Sequence, residues 1–360
     1  MGKIIAGGWN EYPWFMVEDP KVMMGRPTGG FTTRLKAPDL DPKYKNLANW
    51  PAPMLAEYGE DEGVASAVKF RDRVVASMRM LRSALDEFAP DFVLIWSKEQ
   101  MENFGEDVMP PYAIYAYDQM RTLPHARLGG QNFGPNVWGE SADTEFTYKG
   151  DRKAAKYLTS KLIDSGFDAT YAYKPLHSAD HYGSDLAHTF EGGLSYLDWD
   201  RRGFPYPVVP FYVNGYGHSH LSRKGYSNPD ELDPSAPRPW RCFDLGRATG
   251  RILRESPWRV AVLALSSWSH AGILEKNSFL FPDVEEDRRL FELLRTKQYQ
   301  AWRNLDPDEL ILHGQQEMYS WICLAGLLEE LQMEPTFLDF AETWTVNCTK
   351  VTAVFNEATP

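Results

Sequence analysis

Cysteine is scarce in this 360-residue chain, and its distribution excludes two kinds of covalent framework. The three cysteines, Cys242, Cys323 and Cys348, are odd in number and far apart in sequence. They therefore supply neither a disulfide scaffold nor a CxxC metal knuckle. Such sparse cysteine usage is typical of a reducing compartment, so we expect a cytoplasmic protein.

Long hydrophobic runs and basic clusters are also missing. No stretch approaches the ~20 consecutive apolar residues that cross a bilayer. The opening segment Met1–Asn10 predicts a short strand, because its apolar run is too brief for a signal peptide. Acidic residues number 50 against 38 basic ones, giving a net charge of −12. We therefore expect neither nucleic acid nor an anionic membrane as a partner.

Two familiar catalytic loops are absent from the sequence. The segment Gly246–Gly250 has glycines at both ends but lacks the lysine and the spacing of a phosphate-binding P-loop. No Gly-x-Ser-x-Gly elbow occurs, which argues against a serine esterase. Aromatic residues are plentiful at 14%, which suits an aromatic-lined pocket and equally an ordinary large core.

Helical and strand patterns alternate along the chain. Apolar residues recur at helical spacing over Val64–Phe88, Pro90 ends that pattern, and Asp91–Trp96 is an apolar run of the kind buried on both faces of a sheet. Further strands are predicted at 112–115, 169–173, 208–213, 259–265 and 350–355, the last as an edge strand, and further helices at 153–165, 244–254, 287–294 and 318–331. This alternation predicts a three-layer α/β/α sandwich around a mixed sheet.

We expect one catalytic domain over residues 1–360, with two irregular segments. Residues from about 10 to 60 are rich in proline, glycine and aromatics without a sustained period, so they predict a segment that wraps the core. Residues from about 216 to 240 are polar and show no period either. An aperiodic insertion of this length is typical of a lid or an oligomer arm.

Candidate catalytic residues follow predicted strands or begin helices. Ligands of α/β sheets usually lie beyond the carboxyl ends of strands, and His270 follows the strand Arg259–Leu265. An imidazole there can act as acid or base near neutral pH, although it can also simply hydrogen-bond a loop carbonyl. His188 lies in a histidine-rich middle section. Glu317 begins an apolar helix, where a carboxylate can also serve only to stabilise the helix dipole.

These segments, together with Pro207–Asn214 and Arg241–Gly246, resemble the class III extradiol ring-cleavage dioxygenases, of the type of the catalytic β chain of protocatechuate 4,5-dioxygenase. The Ser-His pair that ends at His270 resembles the family's pair, whose histidine is the catalytic acid/base. The Glu-x-x-x-Trp helix from Glu317 resembles the one whose glutamate binds iron. His188 resembles the histidine that binds and polarises the substrate.

The two other iron ligands of the family are replaced in this chain. Where the resemblance implies histidines, the sequence has Glu11, two residues before a proline, and Gln100. Ferrous oxygenases use two imidazoles and one carboxylate, so the Fe(II) that the resemblance implies should bind weakly here. Glu11, Gln100 and Glu317 offer oxygen donors, which suit Mg²⁺, Ca²⁺ or Mn²⁺, or no metal at all.

Three functions remain open on the sequence. The first is a divergent extradiol dioxygenase with a nonstandard metal site, acting on a catecholic or related hydroxylated ring. The second is a hydrolase, decarboxylase or C–C lyase of the same fold that acts on an aromatic or keto acid without O2. The third is a noncatalytic partner subunit, which the presence of His188, His270 and Glu317 argues against. The expected partner is a small aromatic substrate, and the resemblance implies a homo-oligomer.

Overall fold

The computed structural model describes residues 1–25, 31–105, 107–126, 133–215 and 234–357. Most of the predicted insertion, residues 216–233, therefore lies outside the described residues. Between the opening strand and the first long helix, the described chain forms short helical segments and, at Val17, an isolated β-bridge with Asn136. No helix in the described ranges is both long enough and apolar enough to cross a membrane.

The centre of the fold is a mixed sheet of eight strands. Its strands are β1 (Lys3–Trp9), β2 (Phe92–Ser97), β3 (Tyr112–Tyr115), β6 (Thr170–Ala172), β7 (Val208–Val213), β8 (Arg259–Leu265), β9 (Met333–Ala341) and β10 (Lys350–Glu357). They lie in the order β6-β3-β7-β2-β8-β1-β10-β9. The run from β7 to β1 is parallel, and β10 pairs antiparallel with β1 and β9. Strands β4 (Gln119–Thr122) and β5 (Phe146–Lys149) form a separate pair.

Helices cover both faces of this sheet. They are α1 (Pro20–Met23), α2 (Phe31–Leu35), α3 (Ala52–Tyr58), α4 (Val64–Phe88), α5 (Arg152–Asp164), α6 (Ser178–Tyr182), α7 (His188–Leu197), α8 (Pro239–Glu255), α9 (Val284–Arg295), α10 (Tyr299–Arg303), α11 (Pro307–Leu312) and α12 (Tyr319–Leu331). Short 3-10 turns occupy Pro13–Met16, Pro42–Lys45, Leu47–Asn49, Ala271–Ile273 and Glu275–Asn277.

The strand β2 shows why the fold has three layers. Its side chains alternate between the two faces of the sheet, as the pleat requires. Val93 and Ile95 join the core that includes α4 and α7. Leu94 and Trp96 join the second core, under α5, α8 and α12. Because both faces of β2 are buried, its run from Phe92 to Trp96 is apolar throughout. The predicted α/β/α sandwich around a mixed sheet is confirmed.

The sequence predictions about elements were wrong or incomplete in three places. The strand predicted at 350–355 is not at an edge, because β10 pairs with β1 on one side and β9 on the other. Strand β9 was missed, since Pro335 interrupts its strand pattern; a proline is tolerated there because β9 itself is the edge. Helix α8 begins at Pro239 rather than Asp244, as proline favours the first helical position.

Candidate functional site

The candidate site lies at one end of three neighbouring parallel strands. Trp9 and Ser97, the last residues of β1 and β2, are both level with Leu265, the last residue of β8. The carboxyl ends of parallel strands meet at one edge of a sheet. The segments that carry Glu11, Gln100 and His270 therefore leave the sheet side by side.

His270 is held by a buried asparagine and by backbone contacts. Its side chain is 5% exposed. The amide nitrogen of Asn347 lies 2.8 Å from Nε2 and 3.1 Å from Nδ1 of the imidazole. The Asn347 Oδ1 accepts a hydrogen bond of 2.9 Å from the backbone N–H of Gly272, which fixes the amide. The backbone N–H of His270 donates to the Gly314 carbonyl at 2.9 Å. Asn347 and the Gly314 carbonyl thus fix the position of His270.

A fully buried carboxyl, Asp287, ties together the segments behind His270. It accepts hydrogen bonds from the backbone N–H of Ser269 at 3.0 Å and from the Gln315 side-chain amide at 2.7 Å. The hydroxyl of Thr349 also donates to it. Burial raises the pKa of Asp287 to about 7, although these hydrogen bonds favour the ionised form. Sequence reasoning missed Asp287, which lies inside the predicted helix 287–294.

His188 pairs with a second buried carboxylate. It is the first residue of α7, and its Nδ1 lies 2.8 and 2.7 Å from the two carboxylate oxygens of Glu102. The backbone N–H of His188 donates to the same carboxylate at 3.3 Å. A carboxylate on Nδ1 orients the ring and fixes its tautomer. Glu102 was not predicted, because nothing in its sequence context distinguishes it from a surface glutamate.

The third predicted residue, Glu317, is engaged by nitrogen donors. The Lys98 ammonium lies 2.8 Å from its Oε1, and these side chains are 4% and 1% exposed. The side-chain amide of Gln100 donates to the same oxygen at 3.3 Å. The structure thus brings Gln100 and Glu317 together, with a lysine that the sequence analysis did not single out. Lys98 directly follows a fully buried strand, and a charge at such a place usually has a counter-ion.

Glu11 lies against helix α7. A Cβ atom added to Gly192 would lie 2.9 Å from the Glu11 Oε1, so the glycine makes room for this carboxylate. The Glu11 carbonyl accepts a hydrogen bond of 3.2 Å from the Ser267 hydroxyl, which joins β1 to the segment after β8. Glu11 is 4% exposed.

Another carboxyl in this region has a shifted pKa. Glu99 precedes Gln100 and accepts hydrogen bonds from the backbone N–H groups of Asn103 at 3.0 Å and Phe104 at 2.7 Å. Burial, and then the charge of Glu102, raise the pKa of Glu99 to about 8. A carboxyl that keeps its proton near neutral pH can donate one. The sequence analysis did not single out Glu99, although it directly precedes Gln100.

The arrangement does not fit a ferrous centre. Such centres need two imidazoles and a carboxylate that converge on one point. Within the described ranges, no three histidine, cysteine, aspartate or glutamate side chains come together in a way that could hold a metal ion. Glu317, to which the family resemblance assigns the role of iron-binding carboxylate, is instead paired with the cation of Lys98. The chemistry that these residues support is proton transfer and the binding of an anionic oxygen.

Comparison with known proteins gives distant relatives. No family model matches the chain. It is 24% identical over 203 residues to a 2,3-dihydroxyphenylpropionate/2,3-dihydroxicinnamic acid 1,2-dioxygenase of Comamonas testosteroni, covering 55% of this chain and 48% of that protein. It is 22% identical over 238 residues to a second such enzyme from Pseudomonas putida, covering 66% of this chain and 59% of that protein. The chain thus spans about half the length of the curated relatives it matches.

Proposed function

We propose that this chain is a divergent enzyme of the extradiol dioxygenase type that acts on a dihydroxylated or related hydroxylated aromatic ring. The observation that carries the proposal is the placement of His270, buried at the carboxyl end of β8 and held by Asn347. The names of the distant relatives support the substrate class, since each is a dioxygenase of a dihydroxylated aromatic acid.

Each histidine has a separate role in this proposal. His270 takes the proton of a ring hydroxyl and returns it later, because an imidazole changes charge near neutral pH. His188 uses Nε2 to contact a ring oxygen, while Glu102 holds its Nδ1. In this proposal His270, which follows β8, and His188, at the start of α7, contact two oxygens of one ring.

The test is turnover of 2,3-dihydroxyphenylpropionate, followed by absorbance of the ring and by an oxygen electrode. We expect the wild-type chain to consume the aromatic compound and His270→Ala to be slower by about 10²–10⁴-fold, the usual contribution of an acid/base residue. His177→Ala is the matched control, because His177 is a half-buried histidine that pairs with Asp107 instead of Glu102 or Asn347. Equal rates for His270→Ala and wild type would overturn the assignment.

The Lys98–Glu317 contact favours a second candidate function. An ammonium group stabilises an anionic oxygen but supplies no open coordination position for O2. The second candidate is therefore hydrolysis, decarboxylation or C–C lysis of an aromatic or keto acid, again with His270 as acid/base. Turnover that continues in the absence of oxygen would select this candidate, and turnover coupled to oxygen uptake would select ring cleavage.

The assembly and location of the enzyme stay predictions. We propose a cytoplasmic homo-oligomer whose 360 residues act as one catalytic domain. Light scattering on the purified chain would give the number of subunits.

A further inference from the structure

The pair of Lys98 and Glu317 is buried almost completely. Removing two charges from water costs free energy that their attraction repays only with good geometry. Apolar residues of similar size often stabilise a fold as well as such a pair, so stability alone does not account for this one. A buried cation at the end of a sheet that forms a candidate active site calls for a functional explanation.

Lys98 competes with a metal for the same carboxylate oxygen. Its Nζ is 2.8 Å from the Glu317 Oε1. A divalent ion bound to that oxygen at about 2.1 Å would lie within about 5 Å of the ammonium, and the two positive charges would repel. The Gln100 amide directs its N–H group to the same oxygen, and an amide N–H is a donor rather than a metal ligand.

The backbone holds Lys98 in place. Lys98 directly follows Ser97, which is paired in register with Leu265 of β8. The Lys98 carbonyl accepts a hydrogen bond from the hydroxyl of Thr189 in helix α7, the residue after His188. Lys98 is therefore fixed between the strand ends and the helix that carries a proposed substrate-binding histidine.

We infer that the Lys98 ammonium is the resident cation of this site, taking the place of a divalent metal and binding the ionised oxygen of the aromatic ligand. The identity of the ligand rests on the proposed function. In this scheme the ring hydroxyl gives its proton to His270, and the negative charge that remains on the ring oxygen is stabilised by Lys98. No electron is transferred in this step.

The first arm of the test is an anaerobic calorimetric titration with Fe²⁺. Glu11→His with Gln100→His restores the family's histidines, and we expect weak iron binding while Lys98 remains. Adding Lys98→Met should tighten iron binding by at least about tenfold, because the competing charge is removed. Adding Lys98→Arg should give no gain. Equal iron affinity with and without Lys98→Met would overturn the inference.

Lys350→Met is the matched control for the loss of a buried lysine. Lys350 is 2% exposed, and its ammonium contacts the Cys348 thiol at 3.2 Å rather than Glu317. In the two-histidine background, Lys350→Met should raise iron affinity much less than Lys98→Met. A gain of the same size would show that net charge, and not the position of Lys98, controls metal binding.

The second arm uses nitrocatechol, whose visible absorption changes when its hydroxyl ionises, with chelator-treated protein. We expect the probe to ionise at lower pH when bound to wild type or Lys98→Arg than when free. The neutral pair Lys98→Met with Glu317→Gln, designed to keep the fold, should raise the ionisation pH of bound probe by about one unit. An unchanged ionisation pH would overturn the role in anion binding. The probe could fail to bind any of these proteins while Lys98→Met still increases iron affinity. That pair of results would support Lys98 as the resident cation and would overturn only the proposed class of ligand.

Discussion

The two sides of the candidate site differ in how far they depart from the extradiol dioxygenase pattern. On one side, His270 is in place and is supported by Asn347 and the segments that Asp287 joins. On the other, Glu11 and Gln100 lie where the family resemblance implies iron-binding histidines, and Lys98 pairs with Glu317. The two sides follow different strand ends, and their side chains are held by different partners: Asn347 for His270, and Lys98 for Glu317. The residues at the expected metal positions can therefore differ from the family pattern while the proposed acid/base residue, His270, stays in position.

The largest expected effect is the loss of unfolding free energy when Lys98 is replaced, which tests the side of the site that departs from the family pattern. Lys98→Met leaves Glu317 buried without its cation, which typically costs about 3–5 kcal/mol of unfolding free energy. Lys98→Met with Glu317→Leu removes both charges and should recover most of that loss. Urea denaturation of the two variants checks this. If Lys98→Met alone were as stable as wild type, the Lys98–Glu317 ion pair would contribute nothing to the unfolding free energy.

On the side of the site that holds His270, Asp287 should make the unfolding free energy depend on pH. Its pKa is raised by burial to about 7, above the ordinary value of 3.8, so the folded chain keeps a proton that the unfolded chain loses. Unfolding free energy should therefore fall as pH rises from about 4 to about 7, by roughly 2–4 kcal/mol, and show no further change from this group above it. Asp287→Asn mimics the protonated acid and should flatten this part of the profile. Identical urea profiles for both proteins would contradict the assignment.

A smaller effect is expected for the residue that orients His270. Asn347→Ala removes the amide contact at 2.8 Å and should lower kcat about tenfold with little change in KM, because the imidazole is less well aimed. The pH profile of kcat should shift as well, which a purely structural role would not produce. Asn49→Ala is the control, because Asn49 is exposed and distant in sequence from Asn347. A change confined to KM would move Asn347 from positioning to binding.

Much of the fold could be predicted because its signals are local. The helix Val64–Phe88 and the strand near 91–96 are set by the spacing of apolar residues, and the structure has both at those places. Strand β9 was not predictable in the same way, since its pattern is mixed and it contains Pro335. The position of β10 inside the sheet depends on this missed neighbour.

The site was predicted only where motifs mark it. His270, His188 and Glu317 were found through their resemblance to family motifs, and the structure places all three at one end of the sheet. Lys98, Glu102 and Asp287 were missed, because their importance comes from contacts with residues distant in sequence. A buried charge is recognisable only when its burial and its partner are known.

The most direct test of the central claim is the metal content of the chain purified without chelators, measured by mass spectrometry together with turnover after chelation. Because Lys98 holds the carboxylate that iron would use, we predict transition metal far below one ion per chain and turnover unaffected by chelation. One tightly bound iron per chain, whose removal abolishes turnover and whose return restores it, would contradict the account.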